Sequence, residues 1–220
     1  MTTVYYIGDS TVARNNIHSY PQTGMSQGLS LYLKEDVRIE SHAKNGRSTK
    51  SFLDEGRFVP VEAAMQPGDF LLIQFGHNDE KADPARHTDP DTTFRENLLL
   101  FVNAAKKAGA YPVLITPIAR RLFDEKGVFL PGSHGPYPDA VKRTAREAGV
   151  PVIDLTSATE NFLALLGDEE SKPLFVWPKD NTHLKPEGAV KMAGFLAQGL
   201  CNLGKPYSDL LAGTDEGADR

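Results

Sequence analysis

Short apolar runs alternate with amphipathic stretches along the whole chain. Thr3–Ile7 reads as a buried strand that stops abruptly at Gly8-Asp9-Ser10-Thr11. Pro21–Leu33 contains a helical spacing, with Met25, Leu29 and Tyr32 on one face, and Val37–Ser41 reads as a second, more exposed strand. "DFLLIQF", residues 69–75, is an unbroken apolar run of strand length, which suits a central parallel strand covered on both faces. The stretch from Asp89 to Gly109 is the clearest helix: Phe94, Leu98, Phe101, Val102 and Ala105 form one stripe. Asp89 or Asp91 can cap it, Pro90 suits its first turn, Lys106 and Lys107 complement the dipole of its last turn, and Gly109 ends it. "YPVLITP" (111–117) and "VPVIDL" (150–155) are two further strands. Helical patterns span about Pro138–Ala148, Ala158–Leu166 and Pro186–Leu203, the last with Ala189, Met192, Ala193, Leu196 and Leu200 in one stripe.

This alternation, without an internal repeat or a linker, predicts one domain over residues 1–213, built as a doubly wound parallel sheet with helices on both faces. Residues 214–220, "TDEGADR", have nothing to bury and are expected to fray. Right-handed crossovers place every strand-to-helix loop along the carboxyl edge of such a sheet. If the strand order is 2-1-3-4-5, the loops after the first three strands meet where the winding reverses, the crevice in which open α/β sheets bind ligands.

Those loops carry the unusual residues. Ser10 follows the first strand, "KNGRS" (44–48) the second and "GHND" (76–79) the third. A serine hydroxyl is a poor nucleophile until a base takes its proton. A tetrahedral intermediate in turn needs hydrogen-bond donors aimed at its oxyanion. Gly46 can present a bare backbone N–H, Asn78 its side-chain amide, and Ser10 its own N–H. The base comes from "WPKDNTHLKPEGA" (177–189), where Asp180 precedes His183 by three residues just ahead of a helix. In such a turn the carboxylate can reach the imidazole Nδ1–H, fix the tautomer and leave Nε2 for the serine.

Together "GDST", the glycine of "KNGRS", "GHND" and "DNTH" resemble the four signature blocks of the SGNH (GDSL-type) hydrolases, in the family's order from residue 8 to residue 183. Each block alone is weak; all four in order at strand ends are specific. Within the family, "GDSTVA" and "FGHND" look most like the rhamnogalacturonan acetylesterase branch, whose members remove acetyl groups from a pectic polymer. The resemblance implies a three-layer α/β/α fold, flavodoxin-like, with a five-stranded parallel sheet in the order 2-1-3-4-5. It implies Ser10 as nucleophile, Asp180 and His183 as the rest of the triad, Ser10, Gly46 and Asn78 as the oxyanion hole, a shallow open site and no cofactor. The expected partner is an acetylated pectic saccharide.

Other readings compete at several of these residues. Ser10 alone could be a helix N-cap. Asp9 could rival Asp180, although Asp more often braces a turn through backbone hydrogen bonds. His77 is a candidate for a structural hydrogen bond or a substrate contact. Arg47, Arg120 and Arg121 lie on the same edge and suit a uronate carboxylate; solvated loop charge explains them equally. Trp177 could stack on a sugar or pack beneath the catalytic loop. The stretch from Ala119 to Pro138 is long enough to form part of a cleft wall. His18, His42, His87 and His134 show no metal-ligand spacing, and Asp79 and Glu80 read as loop or capping residues.

Bulk properties narrow the partners. A formal net charge of −5 argues against a nucleic-acid partner, and a polyanionic substrate would need local basic groups. The single cysteine, Cys201, excludes an intrachain disulfide and is expected to be a small buried side chain on the last helix. No apolar run approaches the roughly 18 residues of a membrane span. No signal-peptide pattern opens the sequence, so a cytoplasmic location is expected, with secretion the alternative if a leader has been removed. The rival substrates are acetylated xylan or a lipid acyl ester. The rival class is a non-catalytic carbohydrate-binding or nucleotide-binding domain of flavodoxin type.

Overall fold

The computed structural model describes residues 1–213; the fraying expected of residues 214–220 falls outside them. Five parallel strands, β1 (Thr2–Gly8), β2 (Val37–Ser41), β3 (Phe70–Gln74), β4 (Tyr111–Ile115) and β5 (Val152–Ile153), form one sheet in the order β2-β1-β3-β4-β5. The helices are α1 (Met25–Leu29), α2 (Thr49–Asp54), α3 (Val59–Ala64), α4 (Thr93–Lys107), α5 (Tyr137–Ala148), α6 (Leu155–Leu166), α7 (Asp168–Ser171) and α8 (Pro186–Asn202).

The two-residue period of the strands divides the core. Val4 and Tyr6 of β1, with Phe70 and Leu72 of β3, face a layer built from α1, α6 and α8. Tyr5 and Ile7, with Leu71 and Ile73, face a layer built from α2, α3, α4 and α5. Both faces of β1 and β3 are covered, which is why these strands read as continuous apolar runs. On the first layer α1 and α8 pack closely: a Cβ built on Gly28 would fall 2.4 Å from the Ala189 carbonyl oxygen.

Several element boundaries differ from the sequence expectation. Only Met25–Leu29 of the Pro21–Leu33 stretch is helical. Ahead of it, the Thr23 and Met25 N–H groups bond to the Leu184 and Thr11 carbonyls, and beyond it Leu31 and Tyr32 tighten into three-residue turns. The long helix begins at Thr93, so Pro90 falls in the preceding turn, where the Asp89 carboxylate accepts the Asp91 and Thr92 N–H groups. Strand β5 shrinks to two residues because Asp154 accepts the Ser157 N–H and starts α6 at Leu155. Helices α2 and α3 have six residues each, too few turns for periodicity to register. Cys201 is exposed on α8, a correction to the buried position expected of it.

Candidate active site

The turn after β1 is built by Asp9. Its buried carboxylate accepts the Thr11 N–H at 2.9 Å and the Thr11 hydroxyl at 2.8 Å, and its carbonyl accepts the Ala13 N–H at 3.0 Å. Burial pushes the Asp9 carboxyl up, against the pull of the Thr11 hydrogen bonds. No helix starts here, so Ser10 is not an N-cap. Gly8 is required at the end of the strand: a Cβ there would lie 2.5 Å from the Gln74 carbonyl oxygen.

The histidine arrives on a small antiparallel ladder that precedes α8. Val176 N–H bonds to the His183 carbonyl at 2.9 Å, and Lys185 N–H to the Leu174 carbonyl at 3.0 Å. Within the loop so closed, Asp180 Oδ1 accepts the backbone N–H groups of Thr182 at 2.6 Å and His183 at 2.8 Å, and Oδ2 faces His183 Nδ1 at 2.6 Å. Burial works to raise the Asp180 carboxyl, but the hydrogen bonds from His183 and Thr182 outweigh it and hold the group below the ordinary carboxylate range. The other ring nitrogen, Nε2, lies 2.8 Å from Ser10 Oγ, 173 residues away in the chain. Nδ1 therefore donates to Asp180, and Nε2 faces the serine as an acceptor.

Gly46 and Asn78 sit on adjoining loops. Gly46 has φ 78°, the left-handed region, in a turn closed by Arg47 N–H to the Lys44 carbonyl at 3.2 Å. Asn78 Nδ2 donates to the Arg47 carbonyl at 3.1 Å, and its Oδ1 accepts from Arg86 Nη1 at 3.3 Å. These contacts orient the amide and leave its second hydrogen for another acceptor. Beneath them Asp79, fully buried, clamps the two loops: its Oδ1 accepts the Thr49 N–H, the Thr49 hydroxyl at 2.6 Å and the Thr88 hydroxyl at 3.0 Å. Its Oδ2 is buried with no hydrogen-bond partner among the described residues, and burial pushes the carboxyl up to about 7.

A second clamp joins the Asn78 loop to the His183 loop. Arg120 donates from Nη1 to the Thr182 hydroxyl at 2.8 Å and from Nη2 to the His77 carbonyl at 3.3 Å, and it pairs with Glu80. Glu80 also meets His134 Nδ1 at 2.9 Å, and His134 Nε2 faces the Ile118 carbonyl at 2.8 Å. Burial raises Glu80, but His134 and Arg120 overrule it and hold the carboxyl low. The sequence assigned Glu80 and His134 no such part. Only the acidic residue beside the Asn78 block hinted at it.

The candidate substrate residues fare less well as surface groups. Arg121 is buried, donates to Ser171 Oγ at 2.9 Å and pairs with Asp168. That guanidinium is consumed inside the fold, which corrects its assignment as a substrate contact. Trp177 is 41% exposed with the Arg121 guanidinium 4.6 Å from its ring centroid. Arg47 is tied to Glu55 at 3.0 Å and to the Asn45 carbonyl at 2.9 Å. His77 is 3% exposed, stacks edge-on against His134 at 4.4 Å between centroids, and its ring nitrogens have no partner among the described residues. Burial first, then the neighbouring His134 and Arg120, keep its ring neutral. Its backbone carbonyl accepts from Arg120 Nη2 at 3.3 Å. The Ala119–Pro138 stretch folds back on itself through a Phe123–Phe129 bridge and bonds to α6 through Thr159 and Glu160.

A parallel sheet in this order, with a serine, histidine and aspartate hydrogen-bonded in line at its carboxyl edge, defines an SGNH-type fold and site. The model of the GDSL-like Lipase/Acylhydrolase family matches residues 6–190, and the chain belongs to that family. It is 42% identical over 220 residues to the rhamnogalacturonan acetylesterase RhgT of Bacillus subtilis (strain 168), covering 94% of this chain and 93% of that one. It is 28% identical over 235 residues to the rhamnogalacturonan acetylesterase of Emericella nidulans, covering 97% and 90%. Among solved structures it is similar to YxiM of Bacillus subtilis, with a TM-score of 0.83 at 25% identity over 93% of this chain and 57% of that one. It shares its fold with the acetylxylan esterase Axe2 of Geobacillus stearothermophilus, with a TM-score of 0.66 at 19% identity over 94% and 95%.

Proposed function

We propose that the protein is a serine esterase that removes acetyl groups from a pectic saccharide, rhamnogalacturonan or its oligosaccharides. The observation that carries the chemistry is the 2.8 Å contact between His183 Nε2 and Ser10 Oγ, with Asp180 on the opposite ring nitrogen. The substrate class is supported by the relatives above, which match over nearly their full lengths.

His183 takes the Ser10 proton as Oγ attacks the acetyl carbonyl carbon. The carbonyl oxygen becomes an oxyanion bound by the Ser10 and Gly46 N–H groups and the spare Asn78 amide hydrogen. The imidazolium, steadied by Asp180, gives its proton to the departing sugar oxygen, and the saccharide leaves with a free hydroxyl. Water, deprotonated by the same imidazole, then attacks the acetyl-serine, and acetate departs as Ser10 regains its proton. This chemistry needs no cofactor.

Acetate release from acetylated rhamnogalacturonan fragments tests the proposal, with acetylated xylan and p-nitrophenyl acetate as controls. The wild type is expected to release acetate fastest from the pectic fragments, and Ser10→Ala to release none from any ester. Rapid release from xylan alone would defeat the pectic reading. Undiminished hydrolysis by Ser10→Ala would remove Ser10 as the nucleophile.

A further inference from the structure

The loops of the candidate site are not anchored alike. Ser10 and Asn78 follow β1 and β3, which pair as far as Gly8 and Gln74, so the sheet fixes one loop against the other. His183 rides outside the sheet, on the connection between α7 and α8. Backbone bonds tie that connection to its surroundings: Thr23 N–H to the Leu184 carbonyl at 2.9 Å, and Arg121 N–H to the Asn181 carbonyl at 2.8 Å. Neither bond reaches the Asn78 loop.

The Arg120 side chain does. Its guanidinium donates to the carbonyl of His77, the residue before Asn78, at 3.3 Å, and to the hydroxyl of Thr182, the residue before His183, at 2.8 Å. One rigid, planar group therefore spans the two loops next to their working side chains. The Arg120 side chain is only 15% exposed. Hydrogen bonds from a charged donor are roughly twice as strong as neutral ones, and shielding from water keeps them from being screened.

The guanidinium is itself held from behind. Glu80 pairs with it and also meets His134, whose side chain is wholly buried and whose opposite ring nitrogen faces the Ile118 carbonyl just beyond β4. The Arg120 backbone N–H is fixed in turn by Ser133 Oγ at 3.2 Å. The network thus runs from the edge of the sheet to the Thr182 hydroxyl through side chains that are mostly buried.

We infer that Arg120 is a positioning residue for acyl transfer, setting the place of His183 relative to the Ser10 and Asn78 loops that the sheet has already fixed. The inference rests on the proposed esterase reading, and it gives Arg120 a part in turnover that needs no contact with the saccharide. A misplacement of about 1 Å at such a site costs about 10²-fold in rate.

The test uses p-nitrophenyl acetate, so that recognition of a sugar plays no part. Arg120→Met, which leaves Glu80 its His134 partner, is expected to lower kcat about 10²-fold with KM within about threefold of wild type. Thr182→Val removes one hydroxyl and spares the Arg120–Glu80 pair; its kcat is expected to fall about tenfold, as loss of one hydrogen bond to a charged group implies. The double variant is expected to lose no more than Arg120→Met alone, because both changes break the same contact. Wild-type kcat in both single variants, or losses that multiply in the double variant, overturns the inference. So does a loss that merely follows the folded fraction, read from the urea midpoint of each variant.

A second arm needs no turnover. In a crystal structure of Arg120→Met, the 2.8 Å contact between Ser10 Oγ and His183 Nε2 is expected to open beyond about 3.5 Å. The 2.6 Å contact between Asp180 and His183 is expected to persist, because both residues ride on one loop. A His183 displaced in this way, in a protein whose wild type hydrolyses no ester, would keep the positioning role and sink the esterase reading. A fully active wild type with His183 unmoved and kcat unchanged in the variant would do the reverse.

Discussion

Asn78 is held by its neighbours on both sides. The Arg47 carbonyl takes one amide hydrogen and Arg86 takes up the amide oxygen, so the remaining hydrogen has a fixed direction. Replacing it, as Asn78→Ala, is expected to lower kcat on p-nitrophenyl acetate about 10²–10³-fold with little change in KM, because the donor acts on charge that develops only in the transition state. A steady-state kcat within about twofold of wild type would remove Asn78 from the oxyanion hole. Asp180 is held by three hydrogen bonds that favour its charged form, so its carboxylate stays ionised at acidities where an ordinary aspartate would not. Ser10, Asp180 and His183 were legible in the chain because their chemistry demands those residue types at motif spacings. Arg120, Glu80 and His134 were not legible as a group: Glu80 follows β3, Arg120 and His134 lie 14 residues apart in the loop between β4 and α5, and only folding brings them to one point.

The elements place these residues through close contacts that tolerate no extra atom. Gly28 lets α1 press against the start of α8, the helix that the His183 loop leads into. Gly28→Ala is expected to destabilise the fold by about 1–3 kcal/mol, the usual cost of overpacking, read as a lower urea midpoint with an unchanged slope. An unchanged midpoint would mean that the two helices separate freely. The strands and the four long helices, α4, α5, α6 and α8, were plain from their apolar runs and stripes, because each long helix buries a face. Helices α2 and α3 escaped notice because short helices are held by neighbours rather than by a repeating stripe. The Ser48 and Ser51 hydroxyls that cap α2 were the available signal, with Ser48 Oγ accepting the Ser51 N–H at 3.1 Å.

At the scale of the whole molecule, the loops of the candidate site close over a buried carboxyl group, Asp79. Asp79 has a folded pKa of about 7 against an ordinary value of 3.8. Between those values the unfolded chain has released its proton while the folded protein keeps it, so this group's contribution to stability is full below about pH 4 and is lost as pH rises to about 7. Asp79→Asn, which keeps an acceptor for Thr49 and Thr88, is expected to flatten that decline in chemical denaturation run across the interval. An equally steep decline in the variant would place its source elsewhere.

The sequence by itself determined the strand and helix alternation, the order of the four motif blocks and the three residues proposed as the triad, since each depends on local spacing or on a residue type the chemistry cannot replace. The tertiary structure decided the rest. It buried Arg121, withdrew the His77 ring from solvent and turned Arg120 into a brace. Whether a polar side chain meets a partner, a solvent or a substrate depends on which distant segments fold against it, and spacing along one chain carries no record of that.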